Sequence, residues 1–178
     1  MEIYEALRKD HDAVKALLAE LVSLDESDVK TRDSLVAKIR DELVPHSRAE
    51  EAVFYNSLRL LDASSGMAMH GFAEHMEAEA LLRSLQARDF IGTTWKPTAE
   101  KLKNWLDQHI EEEEGDMFAA AKQLFTYREA QAMAEAFEKM KPEVKEGGLI
   151  NSSVEMIANL MPPQFADRFR NFDSNQNK

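Results

Sequence analysis

The chain has 178 residues, no cysteine, 44% hydrophobic residues and a formal net charge of −11. A disulfide scaffold, a thiolate metal site and a catalytic thiol are thereby excluded, and the acidic balance argues against nucleic acid and anionic membrane surfaces, which call for a basic face. Helix formers dominate while glycine (6) and proline (5) are scarce, and no stretch nears the roughly 20 apolar residues that span a bilayer. The expectation is a single-domain, all-α protein of the cytoplasm.

Apolar spacing in steps of three and four divides the chain into amphipathic helices. The first runs over about residues 2–23, with Ile3, Leu7, His11, Val14, Leu18 and Leu21 on one stripe. After the polar link Asp25–Asp28, a second covers about 30–62 and aligns Leu35, Ile39, Leu43, His46, Glu50, Val53 and Ser57. Pro45 falls inside it and should cost one backbone hydrogen bond beside His46. Asp62–Gly66 reads as a turn, and a third helix follows over about 67–89 with Phe72, His75, Glu79 and Leu82 in line. Gly92 and Pro97 mark the next boundary. The fourth helix, about 95–124, aligns Leu102, Leu106, His109, Glu113, Met117, Ala120 and Leu124. Thr126–Glu129 is a capping box, so a fifth helix is expected up to about Lys141, before Pro142. Beyond Gly147 and Gly148 a Met-rich amphipathic segment runs to Pro162 and Pro163 and ends in a polar tail. The expected organisation is a domain over 1–145 and an extension over 146–178 that packs on the bundle or on a partner, with a homodimer as one outcome.

The helices carry a repeat. His46-Ser-Arg-Ala-Glu50-Glu51 matches His109-Ile-Glu-Glu-Glu113-Glu114, and His11 with Ala16-Leu17-Leu18 matches His75 with Ala80-Leu81-Leu82. The chain is one His-bearing helical hairpin written twice. Six polar residues, His11, His46, Glu50, His75, His109 and Glu113, stand where the stripes call for core. Burying carboxylates without partners is costly, so a cation is expected between them. In a helix, residues i and i+4 share a face. His46/Glu50 and His109/Glu113 can therefore each present a nitrogen and an oxygen inward, and a carboxylate can bridge two ions while imidazoles terminate each. Nitrogen and carboxylate donors suit iron, and manganese or zinc as well.

Other residues read differently. Glu79 lies one turn after His75, but the repeat aligns it with Lys15; it stands as a seventh ligand, an outer partner or a surface acid. His70 lies about 140° around the helix from His75 and is read as no ligand. Glu51 and Glu114 repeat too and suit a solvated face or an outer role. Glu111, Glu112 and Asp116 read as exposed acids. Trp95, Trp105 and the phenylalanines read as packing, with Phe54, Phe72 and Phe118 also able to help line a dry pocket, and Tyr55 reads as turned away from the site by its i+5 offset from Glu50.

One His, then His-x-x-x-Glu, then one His, then His-x-x-x-Glu, in that order over residues 2–125, resembles the hemerythrin-like family of HHE cation-binding domains. The resemblance implies an up-down four-helix bundle around a non-haem pair of iron ions with a bridging oxo or hydroxo group, Glu50 and Glu113 bridging and His11, His46, His75 and His109 terminal. Oxygen-carrying members have a further histidine where Glu79 stands here, which argues against simple oxygen carriage. Function is then expected to be binding of, or reaction with, oxygen, nitric oxide or a peroxide. The alternatives are iron sensing or buffering, or a metal-stabilised interaction module. No nucleophile dyad, phosphate loop or nucleotide motif supports an enzyme with an organic substrate.

Overall fold

The computed structural model describes residues 1–87 and 94–160. Five long helices make up the fold: α1 (Ile3–Ser23), α2 (Val29–Glu50), α3 (Ser65–Gln86), α4 (Lys96–Glu112) and α5 (Tyr127–Leu160). Among the described residues there is no strand, and no helix is long and apolar enough to cross a membrane. The helix ends follow from their sequences. Glu2 and Glu5 form a capping box at the start of α1, and the Asp28 side chain accepts from the Thr31 amide to open α2. Thr126 and Glu129 close the expected box at the start of α5, with the Thr126 amide donating to Glu129 Oε2 at 2.7 Å.

Two boundaries differ from the periodicity. Gly66 lies inside α3, because the buried Ser64 hydroxyl donates to the Leu58 carbonyl at 2.7 Å and closes the turn earlier. Helix α5 does not stop before Pro142 but runs through it to Leu160. A proline removes one intrahelical bond without dictating a stop when the helix has a surface to pack on, and α5 packs along α2 and α1. The expected break at Gly92 falls outside the described residues.

Both helices that carry the repeated His-x-x-x-Glu pairs widen where their carboxylates face inward. Helix α2 passes into a π-helical stretch at Glu51–Tyr55 before a last α-helical turn, Asn56–Arg59. Helix α4 does the same at Glu113–Met117 before Phe118–Leu124. Such single π turns insert one extra residue into the ladder and recur at functional sites.

Helices α1 to α4 contact one another in a closed order, α1 with α2, α2 with α3, α3 with α4 and α4 with α1. Two apolar cores fill the space between them. One holds Ile3, Tyr4, Leu7, Phe54, Phe72, Phe118 and Phe137; the other holds Val14, Leu18, Ile39, Leu82, Leu102 and Leu106. His11, His46, His75 and His109 fall between the two in sequence on every helix, so a polar layer separates two dry ends. Trp95 and Trp105 pack as expected and tie helices together, their indole N–H groups donating to the carbonyls of Glu26 and Glu74, each at 3.2 Å. Where α3 meets the π stretch after α2, Gly71 lies against Tyr55: an added Cβ would stand 2.6 to 2.8 Å from its ring. Gly71→Ala should therefore cost about 1–3 kcal/mol by overpacking, read as a lower unfolding midpoint, with part of the loss restored by a smaller residue at position 55.

Candidate metal centre

All six residues picked out by the repeat are at most 3% exposed and face one another. His11 comes from α1, His46 and Glu50 from the end of α2, His75 from α3, His109 from α4, and Glu113 from the start of the π stretch after it. The imidazoles form two edge-on pairs, His11 with His46 at 5.0 Å between centroids and His75 with His109 at 4.9 Å. Each carboxylate stands between the pairs. Glu50 Oε2 lies 3.3 Å from His46 Nε2 and 3.4 Å from His75 Nε2. Glu113 Oε2 lies 3.5 Å from His11 Nε2 and 3.7 Å from His109 Nε2. Donors around one ion with bonds near 2.0–2.1 Å sit roughly 3.0–3.4 Å apart, so these spacings suit ligation. Two triplets could each hold an ion, His11–His46–Glu50 and Glu50–His75–His109.

The outer edge of every ring is tied to a carboxylate. His11 Nδ1–H donates to Glu114 at 2.9 Å, His46 Nδ1–H to Asp10 at 3.4 Å, His75 Nδ1–H to Glu51 at 3.1 Å and His109 Nδ1–H to Glu74 at 2.8 Å. With Nδ1 carrying the proton, all four Nε2 lone pairs point inward. Those of His75 and His109 meet at 3.2 Å with nothing to donate between them. This carboxylate–histidine pattern is the usual outer support of a metal-binding imidazole.

Electrostatics point the same way. Both oxygens of Glu50 and of Glu113, and His11 Nε2, are buried without a hydrogen-bond partner outside the Glu50–Glu113 pair itself. Burial pushes the Glu50 carboxyl up to about 7 and, with the charge of Glu50 added, that of Glu113 well above its usual range. Burial also lowers His11 and takes His75 well below the ordinary imidazole value, so both rings stay neutral donors. Glu114 is held at about 2 by its hydrogen bond from His11, although burial opposes this, and by Arg8. A cation supplies what the layer lacks, and the donor set fits one of borderline hardness.

Several placements correct the sequence reading. Tyr55 is not turned away: its ring stacks on His75 at 5.2 Å and its hydroxyl reaches 3.5 Å from His75 Nε2. The i+5 offset points elsewhere in an α-helix but returns towards the same face across a π turn. Glu79 is buried but holds Arg48 and Arg83 (3.5 Å to the latter), away from the imidazoles. Glu51 and Glu114 take the outer role, not the solvated one. Phe54, Phe72 and Phe118 pack in the apolar core, in keeping with their sequence pattern, on the Tyr55 side of the layer. Asp10 and Glu74 escaped notice, although the acid directly before each of two repeated histidines is itself part of the repeat. Arg48 is 1% exposed and bridges Glu51 (3.0 and 3.1 Å) to Glu79. From α5, Lys141 holds Asp10 at 2.8 Å, Phe137 meets the His46 ring at 5.6 Å, and the Asn159 amide donates to the Arg48 carbonyl at 3.1 Å.

Above the imidazoles, Val14, Leu43, Leu106 and Ile110 close a cavity of about 10 Å³, room for roughly one water-sized guest. Arg48→Ala would take the guanidinium from the buried Glu51 and leave Glu79 only Arg83, at 3.5 Å. A loss of about 3–5 kcal/mol is expected on breaking such a buried pair, measurable by urea unfolding, together with weaker metal retention because Glu51 no longer fixes His75.

Comparison with known proteins agrees with this geometry. No solved structure matches the chain. A protein of Nostoc sp. named DNA nickase is 25% identical over 146 residues, 82% of this chain; the chain spans only 41% of that relative's length. The hemerythrin HHE cation binding domain matches residues 2–121, a span containing all six inward donors. The chain belongs to the hemerythrin HHE cation-binding domain family.

Proposed function

We propose that the protein holds a pair of iron ions in an up-down four-helix bundle and binds or reacts with a small ligand: oxygen, nitric oxide or a peroxide. The observation that carries this reading is the shared position of Glu50 and Glu113, each within reach of both imidazole pairs. His11 and His46 would hold one ion, His75 and His109 the other, and the two carboxylates would bridge them. When bound, such a pair supplies coordination and electrons to a ligand of a few atoms. The closed contacts among α1 to α4 support the bundle arrangement.

The chain's own groups set what such a site can admit. Four outer carboxylates hold the rings in place before any ligand arrives, which reduces reorganisation. Val14, Leu43, Leu106 and Ile110 keep bulk water out and leave space only for a guest of water's size, which speaks against an organic substrate. Tyr55 keeps its proton, since burial and then the nearby Glu113 raise its phenol well above the ordinary range. Its hydroxyl is therefore a hydrogen-bond donor held at the His75 edge of the centre. The repeat places Phe118 at the equivalent position in the second half, so this donor exists on one side only.

Protein purified and loaded with ferrous iron should bind two ions per chain, and Glu113→Gln or His46→Ala should lower that content. Reduced, loaded protein mixed with oxygen, nitric oxide or hydrogen peroxide should change its absorption with at least one of them. No change with any of the three would defeat the proposal; melting of the bundle on iron removal would then favour iron sensing or buffering. Tyr55→Phe should speed ligand loss roughly 2- to 10-fold, the worth of one buried hydrogen bond of about 0.5–1.5 kcal/mol, with iron content unchanged.

A further inference from the structure

His70 is the histidine outside the repeat, and it stands at the outer edge of the ring of carboxylates. Its Nε2 lies 3.4 Å from Glu74 Oε1 and 3.5 Å from Glu112 Oε2. Glu74 is 8% exposed, while His70 and Glu112 are open to solvent. The three donors lie within 4.8 Å of one another.

The neighbouring outer carboxylates show what is different here. Glu114 is neutralised by Arg8 at 3.0 Å, Asp10 by Lys141 at 2.8 Å and Glu51 by Arg48 at 3.0 Å. Among the described residues, no lysine or arginine stands against Glu74. Its Oε2 accepts from His109 Nδ1–H at 2.8 Å, and its Oε1 is left facing an imidazole and a second carboxylate. Two acids and one histidine at these spacings lack the arginine or lysine that the other three positions have.

We propose that His70, Glu74 and Glu112 bind a divalent cation of the borderline class (zinc, ferrous iron, cobalt or manganese) at the surface, separate from the buried centre and joined to it through Glu74. Three protein donors with solvent on the remaining side leave positions open to water, as in exchangeable sites. A cation on Oε1 draws charge from the carboxylate that fixes His109, so occupancy of the surface site changes the basicity of that inward imidazole. This coupling, unlike the site itself, rests on the reading of the buried centre.

Zinc titrated calorimetrically into the iron-loaded full chain should show one more equivalent bound than in His70→Ala or Glu112→Gln, both changes on exposed side chains that leave the fold alone. The absorption of the iron centre should shift on adding zinc to the native protein and stay fixed in His70→Ala. Equal zinc uptake by all three proteins, or none by the native one, overturns the site. Uptake without a shift overturns the coupling. The same difference in zinc uptake is expected in protein prepared without iron, so failure of the buried centre, seen as iron content below two per chain, is told apart from failure of this site.

Discussion

Two carboxylates buried with no hydrogen-bond partner beyond each other, Glu50 and Glu113, impose the condition that the surrounding structure answers. An uncompensated charge at such depth would cost several kcal/mol per ion, and a protein of ordinary stability has only about 5–15 kcal/mol in total. Burial keeps the rings of His11 and His75 neutral, so those two contribute lone pairs and no compensating charge of their own. Among the described residues, Arg8, Arg48 and Lys141 are already engaged with the outer carboxylates. The inner layer is thus complete in donors and deficient in cations, which is the state a metal-binding interior must have before its metal arrives.

The inward donors were legible because they violate the apolar stripes at repeated positions: a histidine at 11, 46, 75 or 109 is conspicuous among leucines and valines. What lay beyond reach depended on contacts between helices or on local geometry. Glu79 shares the stripe of His75 on its own helix, and its partner Arg48 arrives from α2, a contact that no pattern on α3 reveals. Tyr55 is misplaced by helical arithmetic because a π turn leaves no mark in the hydrophobic pattern. Lys141 and Asn159 act from a helix more than 90 residues from Asp10 and Arg48, and no spacing rule connects residues so far apart. Asp10 and Glu74 are the fair misses, since the acid–histidine step repeats as faithfully as the histidines do.

Helix α5 makes the two halves of the repeat unlike. It lies on α1 and α2, places Phe137 against His46 and supplies Lys141 and Asn159 on that side. No corresponding helix covers His75 and His109 among the described residues; there Tyr55, Gly71 and the open His70 form the surroundings. Near-twofold ligation is therefore set in an asymmetric shell, and two ions held in it would differ in polarity, access and hydrogen bonding. The family match ends at residue 121, before α5 begins, so much of this difference comes from outside the shared domain.

The outer carboxylates also have a sense of rotation. Asp10 of α1 holds the ring on α2, Glu51 after α2 holds the ring on α3, Glu74 of α3 holds the ring on α4, and Glu114 after α4 holds the ring on α1. Each helix steadies its successor and is steadied by its predecessor, and the circuit closes. The support of the rings then has a handedness: a shift of α1 takes Asp10 from the imidazole on α2, whereas the imidazole on α1 is released by a shift of Glu114 after α4. An ion at the centre would lock a cycle rather than four independent struts, so no helix could move alone without loosening the next.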